Sequence, residues 1–300
     1  MYTRVLIPLD GSKTAEKVLP YARTVAGKLN IPVELLGVID IAEIARHLAV
    51  EKARHLDTLI TEGGKNSKMY LDNIGRSFPE SSVRCTIERG RPEDVIIEHA
   101  AKDKNTLIAM ATHGRSGIKR WLLGSVTEKV LRGSVNPLLV VRAHEDATGE
   151  GEAVLKSILV PLDGSELAES VLPKAVELAK ALKAEIVLVR VYELPAAAYY
   201  GSEDYLPNYE ELKDQVKLEA ADYLDKKIDA LKAIGLEKVS WVLLDGSDAN
   251  EIIRYARESP SALVAMCTHG RSGVKRWVLG SVTEKVVRHS GDPVLVVRAK

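Results

Sequence analysis

The residues of this chain that are best suited to chemistry lie in a glycine-rich, basic segment that occurs twice. Thr112–Arg132 reads THGRSGIKRWLLGSVTEKVLR, and Thr268–Arg288 repeats it with 18 of 21 residues identical. Each copy follows a short apolar run and ends in an amphipathic helical pattern. Glycine lets a ligand approach the backbone closely, and cations beside a helix N-terminus attract anions. We therefore predict a phosphate-binding turn in each half of the chain.

The serine that begins each predicted helix has a second interpretation. Ser125 and Glu128 have the spacing of a capping box, and so do Ser281 and Glu284. In a capping box the serine only caps its own helix. The two roles are compatible, because a cap uses only some of the amide groups at a helix start.

A carboxylate at the end of the first predicted strand is the next candidate. Val5–Ser12 (VLIPLDGS) reappears as Ile158–Ser165 (ILVPLDGS), which places Asp10 and Asp163 at matching positions. Asp-Gly-Ser is typical of a turn followed by a helix N-cap. Opposite a phosphate-binding turn, the carboxylate can instead bond a ribose hydroxyl or approach a divalent ion.

Length and composition limit the classes of protein to consider. The chain has 300 residues, about two domains in length, with 46% hydrophobic and 28% charged residues, as in soluble globular proteins. Its 42 basic and 42 acidic residues cancel, which argues against a nucleic-acid or membrane partner. The two cysteines, Cys85 and Cys267, lie far apart and predict neither a disulfide framework nor a zinc site. Without a signal peptide or an apolar span, we expect a cytoplasmic protein.

The duplication extends over nearly the whole chain. Asn136–Ala143 reappears as Asp292–Ala299, so the repeats are offset by 153 residues early and 156 residues late. The segment between them is polar and contains glycine, which is typical of a linker. We predict one domain over residues 1–143, a linker over 144–156 and a second domain over 157–300.

Strand and helix patterns alternate within each repeat. One helical face runs from Ala15 to Leu29, and a longer helical stretch ends near Arg76 with an interruption expected at Gly63–Gly64. This alternation predicts a doubly wound, five-stranded parallel sheet in each repeat, with strand order 3-2-1-4-5. The predicted strands cover residues 5–9, 33–39, 83–87, 107–111 and 138–141, and then 157–162, 185–192, 239–244, 262–267 and 294–298.

The predicted order brings the candidate residues together. Ligands of such sheets bind at the carboxyl ends of the strands, where the winding direction reverses. Here the reversal lies between strand one, which ends at Asp10, and strand four, which ends at the glycine-rich turn. Val38 and Val191, late in the second strands, either form an apolar wall for a base or belong to the ordinary core.

The last strands predict how the repeats associate. Leu138–Val141 and Val294–Val297 are apolar on both faces but lie at a sheet edge in the predicted order, and a bare apolar edge favours pairing. A linker of this length reaches about 45 Å when extended, so the two last strands can pair. We expect an intramolecular pseudo-dimer, which leaves a further homodimer open.

Other residues support weaker hypotheses. His113 and His269 lack a partner at a recognised catalytic spacing and are predicted to be loop residues. The chain has neither a GxxxxGK[ST] nor a GxGxxG motif, which argues against a P-loop NTPase and a dinucleotide dehydrogenase. Tyr192–Tyr209 contains five of the ten tyrosines. They cover either the other repeat or a bound ring system.

These motifs together resemble the ATP-binding universal stress proteins, and the resemblance covers both repeats. That family's motif is Gly, two residues, Gly, nine residues, Gly, then Ser or Thr. The chain matches it from Gly114 to Ser125 and from Gly270 to Ser281, but the first glycine is Ala111 in one repeat and Cys267 in the other. Alanine adds only a methyl group, whereas cysteine is bulkier.

The resemblance implies a flavodoxin-like, Rossmann-like fold that binds ATP, or ADP or AMP, often with Mg²⁺ or Mn²⁺. Asp10 and Asp163 would lie beside the ribose or the nucleotide's metal ion. Arg115 and Arg271 are either auxiliary phosphate ligands or solvated loop residues. The nucleotide-binding residues implied are Asp10, Val38, Ala111, Gly114, Arg115, Gly117, Gly124, Ser125, Val126 and Thr127 in the first repeat, and Asp163, Val191, Cys267, Gly270, Arg271, Gly273, Gly280, Ser281, Val282 and Thr283 in the second.

Three functions remain open at this stage. The first is a stress-response regulator with one nucleotide site per repeat, little turnover and an unidentified protein partner. The second is a slow ATPase or an autophosphorylating enzyme that uses Ser125, Ser281 or a nearby threonine. The third is an interaction module that binds no nucleotide.

Overall fold

A computed structural model describes the parts of the chain that position these residues, and they form two compact units. The first unit contains the described residues up to Val154 and also Pro293–Arg298, and the second contains the other described residues from Leu155 onward. The described residues are 1–43, 56–78, 82–112, 123–142, 148–193, 209–268 and 279–299.

The first unit is built on the predicted parallel sheet. Its strands have the order β3-β2-β1-β4-β5, so that the winding reverses between β1 and β4. Every residue of β4 and β5 is buried. The predicted order 3-2-1-4-5 is therefore confirmed here. The strands are β1 Arg4–Pro8, β2 Val33–Ile39, β3 Val83–Arg89, β4 Thr106–Ala111 and β5 Leu138–Val141.

The helices of the first unit differ from the predicted ones at one proline. The apolar face predicted to form one helix is divided, because Pro20 has no N–H to bond the carbonyl group of Glu16. The chain turns at Lys17 and Val18 and continues as a second helix. The helices are α1 Lys13–Glu16, α2 Leu19–Leu29, α3 Leu56–Gly75, α4 Pro92–Ala101 and α5 Ser125–Gly133.

The interruption expected at Gly63–Gly64 was wrong, because α3 continues through both residues. Glycine weakens a helix by only about 1 kcal/mol, and tertiary packing can offset that. Ile60 and Leu71, which are 6% and 0% exposed, anchor α3 on either side of the glycine pair.

The second unit repeats the same arrangement. Its strands have the parallel order β8-β7-β6-β9. Among the described helices of the whole chain, none is both long and apolar enough to cross a lipid bilayer. The elements are β6 Ser157–Pro161, α6 Glu166–Glu169, α7 Leu172–Leu182, β7 Glu185–Tyr192, α8 Tyr209–Ala233, β8 Val239–Asp245, α9 Asp248–Glu258, β9 Ala262–Cys267 and α10 Ser281–His289.

The final strand, β10 (Val294–Val297), belongs to the first unit and pairs antiparallel with β5. Leu295 lies opposite Leu139, and every residue of both strands is buried. Beyond the strand, the Arg298 guanidinium donates to the carbonyl oxygen of Ser134 at 2.9 Å. The predicted pairing of the two last strands is confirmed.

Part of the predicted linker packs on α2. The Arg23 guanidinium donates to the carbonyl oxygens of Gly149 and Gly151 at 2.9 and 2.7 Å. Thr24 Oγ1 donates to the carbonyl oxygen of Ala153 at 2.8 Å, and the Ala153 amide donates to that of Pro20 at 3.2 Å. These bonds tie this part of the linker to the first unit.

Candidate functional site

The turn after β1 contains the first predicted carboxylate. Asp10 is exposed, and its Oδ1 accepts a 2.9 Å hydrogen bond from the Ser12 amide. Ser12 Oγ in turn accepts from the Ala15 amide at 3.1 Å and caps α1. Ser12 thus has the N-cap role that the sequence suggested, while Asp10 shapes the turn and stays at the surface.

The matching turn after β6 holds its carboxylate more tightly. Asp163 is half-buried, and its Oδ1 accepts from both the amide and the hydroxyl group of Ser165, at 2.9 and 2.6 Å. Ser165 Oγ also accepts from the Ala168 amide at 3.2 Å and caps α6. These bonds fix the direction of the Asp163 carboxylate.

The helix after β4 does not begin with the capping box that its sequence suggests. Gly124 is the N-cap residue of α5, Ser125 is the first helical residue, and Glu128 Oε1 accepts from Arg132 Nε at 3.2 Å. Since glycine has no side chain, the N-cap residue supplies no acceptor to the amides of the first turn. The Gly124 amide donates to the carbonyl oxygen of Thr112 at 2.6 Å, which holds the helix start against the end of β4.

The second repeat has the same helix start. Gly280 is the N-cap residue of α10, Ser281 follows as the first helical residue, and the Gly280 amide donates to the carbonyl oxygen of Thr268 at 2.8 Å. In both repeats, amide groups at a helix N-terminus therefore lie beside the carboxyl end of a central strand. Such an end carries a partial positive charge and suits an anion.

The threonines in the first turns have a structural role. Thr127 Oγ1 donates to the carbonyl oxygen of Ala111 at 2.9 Å, and Thr283 Oγ1 donates to that of Cys267 at 2.8 Å. Both threonines are 4% exposed. Their side chains join helix to strand, so that only their backbone atoms are suited to the predicted ligand contact.

The predicted residues of the second repeat that the structure describes line one cavity of about 820 Å³. Apolar residues of β7 and α9 form part of its wall, and the carboxylate of Asp163 and the start of α10 form another part. Arg190, Tyr223 and Asp248 also line it, although the sequence did not single them out. The predicted residues in the lining are Asp163, Val191, Cys267, Gly280, Ser281, Val282 and Thr283.

The residues that replace the family's first glycine end the buried strands β4 and β9. Ala111 is 7% exposed and Cys267 is 5% exposed. Cys267 Sγ lies 3.1 Å from Ser170 Oγ, a hydrogen-bonding distance for sulfur. The larger side chain thus packs against the turn between α6 and α7 and still leaves a cavity.

Each repeat also contains a tyrosine whose hydroxyl group bonds to a glutamate of the short helix that follows the first strand, α1 or α6. The Tyr70 hydroxyl donates to Glu16 at 3.2 Å, and the Tyr223 hydroxyl donates to Glu169 at 2.8 Å. Burial raises the pKa of both phenols well above its usual range, and the glutamates raise it further. Both tyrosines therefore remain hydrogen-bond donors at neutral pH. The shift of 153 residues between the pairs is the sequence signal that could have revealed them.

Several predicted residues lie outside the described part of the chain. Their predicted roles remain predictions, as does the lid or cover role of the tyrosine-rich segment 194–208. In the described part, no group of three or more His, Cys, Asp or Glu side chains could hold a metal ion. The predicted residues that lie outside the described part are His113, Gly114, Arg115, Gly117, His269, Gly270, Arg271 and Gly273.

Comparisons with known proteins agree on one family. A model of the universal stress protein family matches residues 1–142 and 155–298. Universal stress protein MJ0531 of Methanocaldococcus jannaschii is 31% identical over 148 residues, covering 49% of this chain and 85% of that protein. Universal stress protein Rv2005c of Mycobacterium tuberculosis is 22% identical over 299 residues, or 98% of this chain and 96% of that one. The crystal structure of a universal stress protein from Archaeoglobus fulgidus has a TM-score of 0.69 at 23% identity, covers 98% of each chain, and supports the fold.

Proposed function

The chain belongs to the universal stress protein family, and on that premise we propose that it is a stress-response regulator that binds an adenine nucleotide in each repeat. ATP is the proposed ligand, with ADP and AMP as its smaller relatives. Turnover is proposed to be slight, so that the nucleotide acts as a signal and is not consumed as a substrate.

The observation that carries this proposal is the cavity of the second repeat. Its volume of about 820 Å³ lies within the range of small-molecule sites, roughly 300–1,000 Å³. Val191 offers an apolar wall to the base, and the Asp163 carboxylate can accept a hydrogen bond from a ribose hydroxyl. The start of α10, at Gly280 and Ser281, offers amide groups to phosphate.

The first repeat offers the same parts in the same order. Asp10 follows β1, Val38 lies late in β2, and Ala111 ends β4. Helix α5, which follows β4, again has a glycine, Gly124, as its N-cap residue. Since strand order and helix start match those of the second repeat, we propose the same mode of binding.

A divalent cation fits this arrangement only as part of the bound nucleotide. No described cluster of side chains would hold Mg²⁺ or Mn²⁺ without further ligands, and magnesium in nucleotide sites usually shares one or two carboxylates with substrate phosphates. Asp10 and Asp163 are the carboxylates that we assign to this role. The cation would neutralise part of the phosphate charge.

Calorimetric titration of ATP into the unaltered chain and into Gly124→Val and Gly280→Val variants tests the proposal. The two glycines have φ values of −59° and −58°, which valine can adopt, so the added side chains test space at the helix start. We expect binding to both repeats of the unaltered chain, and to one repeat in each variant. Gly63→Val is the matched control, because a β-carbon there meets no atom within 4 Å.

Unchanged binding in both site variants would refute the assigned phosphate sites. Phosphate release is measured in parallel. Release well above the blank that disappears in the double variant would establish the slow ATPase in place of the regulator. An absence of nucleotide binding in the unaltered chain would favour the interaction module.

A further inference from the structure

The two repeats differ in charge at one matched position of the second strand. Pro8 lies opposite Leu36 in the first repeat, and Pro161 lies opposite Val189 in the second. The next residue along the strand is Gly37 in one case and Arg190 in the other. One repeat therefore has a cation where the other has no side chain.

The Arg190 guanidinium lines the cavity next to the turn after β6, which forms that part of the wall. Its central carbon is 5.0 Å from the centroid of the Tyr223 ring, a distance typical of a cation–π contact. A β-carbon on Gly164 would lie only 2.7 Å from a terminal nitrogen of Arg190, and Gly164 has a φ of +86°. Glycine thus makes room for the guanidinium directly beside Asp163.

Hydrocarbon occupies the corresponding space in the first repeat. Gly37 is buried, and a β-carbon there would lie 2.8 Å from Ile87 Cδ1 and 3.4 Å from Leu71 Cδ1. A long cationic side chain has no room at Gly37 unless these residues move. The difference in charge is therefore built into the packing of the two repeats.

The guanidinium group of Arg190 suits an anion as its ligand. A guanidinium group binds phosphate through two parallel hydrogen bonds. The Asp163 carboxylate is held by two hydrogen bonds from Ser165, and the protonated Tyr223 hydroxyl is bonded to Glu169. In the proposed mode of binding, the ribose lies at Asp163, so the group within reach of Arg190 is a substituent on the ribose.

We propose that the second repeat prefers an adenine nucleotide with an additional phosphate on its ribose, and that Arg190 determines this preference. The first repeat, with Gly37, binds nucleotides with and without that phosphate alike. The inference rests on the proposed function and adds to it the ligand class that distinguishes the two sites.

The test uses the full chain with one site removed at a time. AMP, adenosine 2′,5′-bisphosphate and adenosine 3′,5′-bisphosphate are titrated into the Gly124→Val variant, which retains the second site. We expect at least one bisphosphate to bind about tenfold more tightly than AMP, the gain typical of a charge-assisted contact. The Gly280→Val variant, which retains the first site, should show no such preference.

Substitution of Arg190 in the Gly124→Val background identifies the side chain responsible. Arg190→Gly, which installs the residue of the first repeat, and Arg190→Met, which keeps a hydrocarbon stem over Tyr223, should each abolish the preference. Arg190→Lys should retain part of it, because it keeps the charge without the paired donors. Arg254→Gln is the control, because Arg254 pairs with Glu251 and Glu258 on the surface of α9.

The outcomes separate this inference from the function on which it rests. Binding of AMP and both bisphosphates with equal affinity in the Gly124→Val variant would overturn the preference and leave the nucleotide sites in place. A preference that persists in both Arg190→Gly and Arg190→Met would overturn the role of Arg190. Failure of ATP and AMP to bind the unaltered chain would remove the proposed function first.

Discussion

The Tyr223 hydroxyl donates a 2.8 Å hydrogen bond to Oε1 of Glu169, whose Oε2 accepts from Lys227 at 2.6 Å. Helix α8 is thereby joined to α6, the short helix that follows the turn containing Asp163. Tyr70 and Glu16 form the matching pair in the first repeat. The same hydrogen bond therefore recurs at matching positions of the two repeats.

We expect Tyr223→Phe to lower the free energy of unfolding by about 1 kcal/mol, the usual contribution of one hydrogen bond. Urea denaturation of the full chain measures the change, and Tyr70→Phe provides the comparison. No measurable change in either variant would show that solvent replaces the bond without cost.

The pH dependence of stability should depend on Glu34, at the opposite end of the strands from the proposed sites. Glu34 is 3% exposed, pairs with Arg4, and accepts hydrogen bonds from Thr86 at 2.8 Å and His99 at 2.9 Å. Burial alone raises the pKa of Glu34, but Thr86, His99 and Arg4 outweigh it, so the pKa lies below its usual value.

Since its pKa is lower in the folded than in the unfolded chain, Glu34 stabilises the fold above the unfolded pKa of about 4.3. That contribution is lost as the pH falls through the folded-state pKa. Glu34→Gln should cost about 3 kcal/mol at neutral pH, because it leaves the half-buried Arg4 beside an uncharged partner. As the pH falls, the unfolding free energy of the Glu34→Gln variant should also decrease less steeply than that of the unaltered protein. Parallel acid profiles for the two proteins, measured by urea denaturation from pH 7 to pH 3, would contradict this role.

The contact between the linker and α2 can be tested by limited proteolysis. Arg23→Ala removes the hydrogen bonds to Gly149 and Gly151, and an endopeptidase that cleaves after glutamate should then cut at Glu150 and Glu152 several-fold faster. Mass spectrometry identifies the cleavage sites. The control is Lys28→Ala, which changes an exposed residue of the same helix, and the protease should cleave this variant at the same rate as the unaltered protein. Equal rates for all three proteins would show that the bonds do not protect the linker.

Cys267 provides a probe of the second site, because it lines the cavity while Cys85 lies on β3. ATP at saturating concentration should slow the reaction of Cys267 with a thiol reagent at least tenfold if it fills the cavity. The remaining thiol of a Cys267→Ala variant should react at a rate that ATP does not change. The same rate for Cys267 with and without ATP would place the nucleotide elsewhere.

The sheet could be predicted because its signals are local and occur twice. Uninterrupted apolar runs, Val5–Leu9 and Leu107–Ala111, coincide with most of β1 and β4, and the repeated PLDGS and glycine-rich segments mark the ends of those strands. The division between α1 and α2 was missed because the apolar face continues past Pro20. A capping box was one of two interpretations of Ser125, but Gly124 bonds to the end of β4 and takes the N-cap position itself.

The residues missed at the site depend on contacts between distant segments. Tyr223 and Glu169 are separated by 54 residues, and no pattern within α8 distinguishes this tyrosine from others. Arg190 interrupts an apolar strand, and its significance emerges only when the strand register matches it to Gly37. Charge and shape at the cavity wall are therefore properties of the packed repeat, which periodicity does not describe.

The membership of β10 in the first unit has a consequence for how the protein is made. The ribosome finishes Met1–Val154 long before it reaches Val294, so the nascent first unit emerges with β5 as an uncovered apolar border. An unpaired border of this kind is a point where growing chains adhere to one another. Completion of the first unit therefore waits until Val294–Val297 has been translated, and the pairing of β10 with β5 ends the exposure of that apolar strand to aggregation.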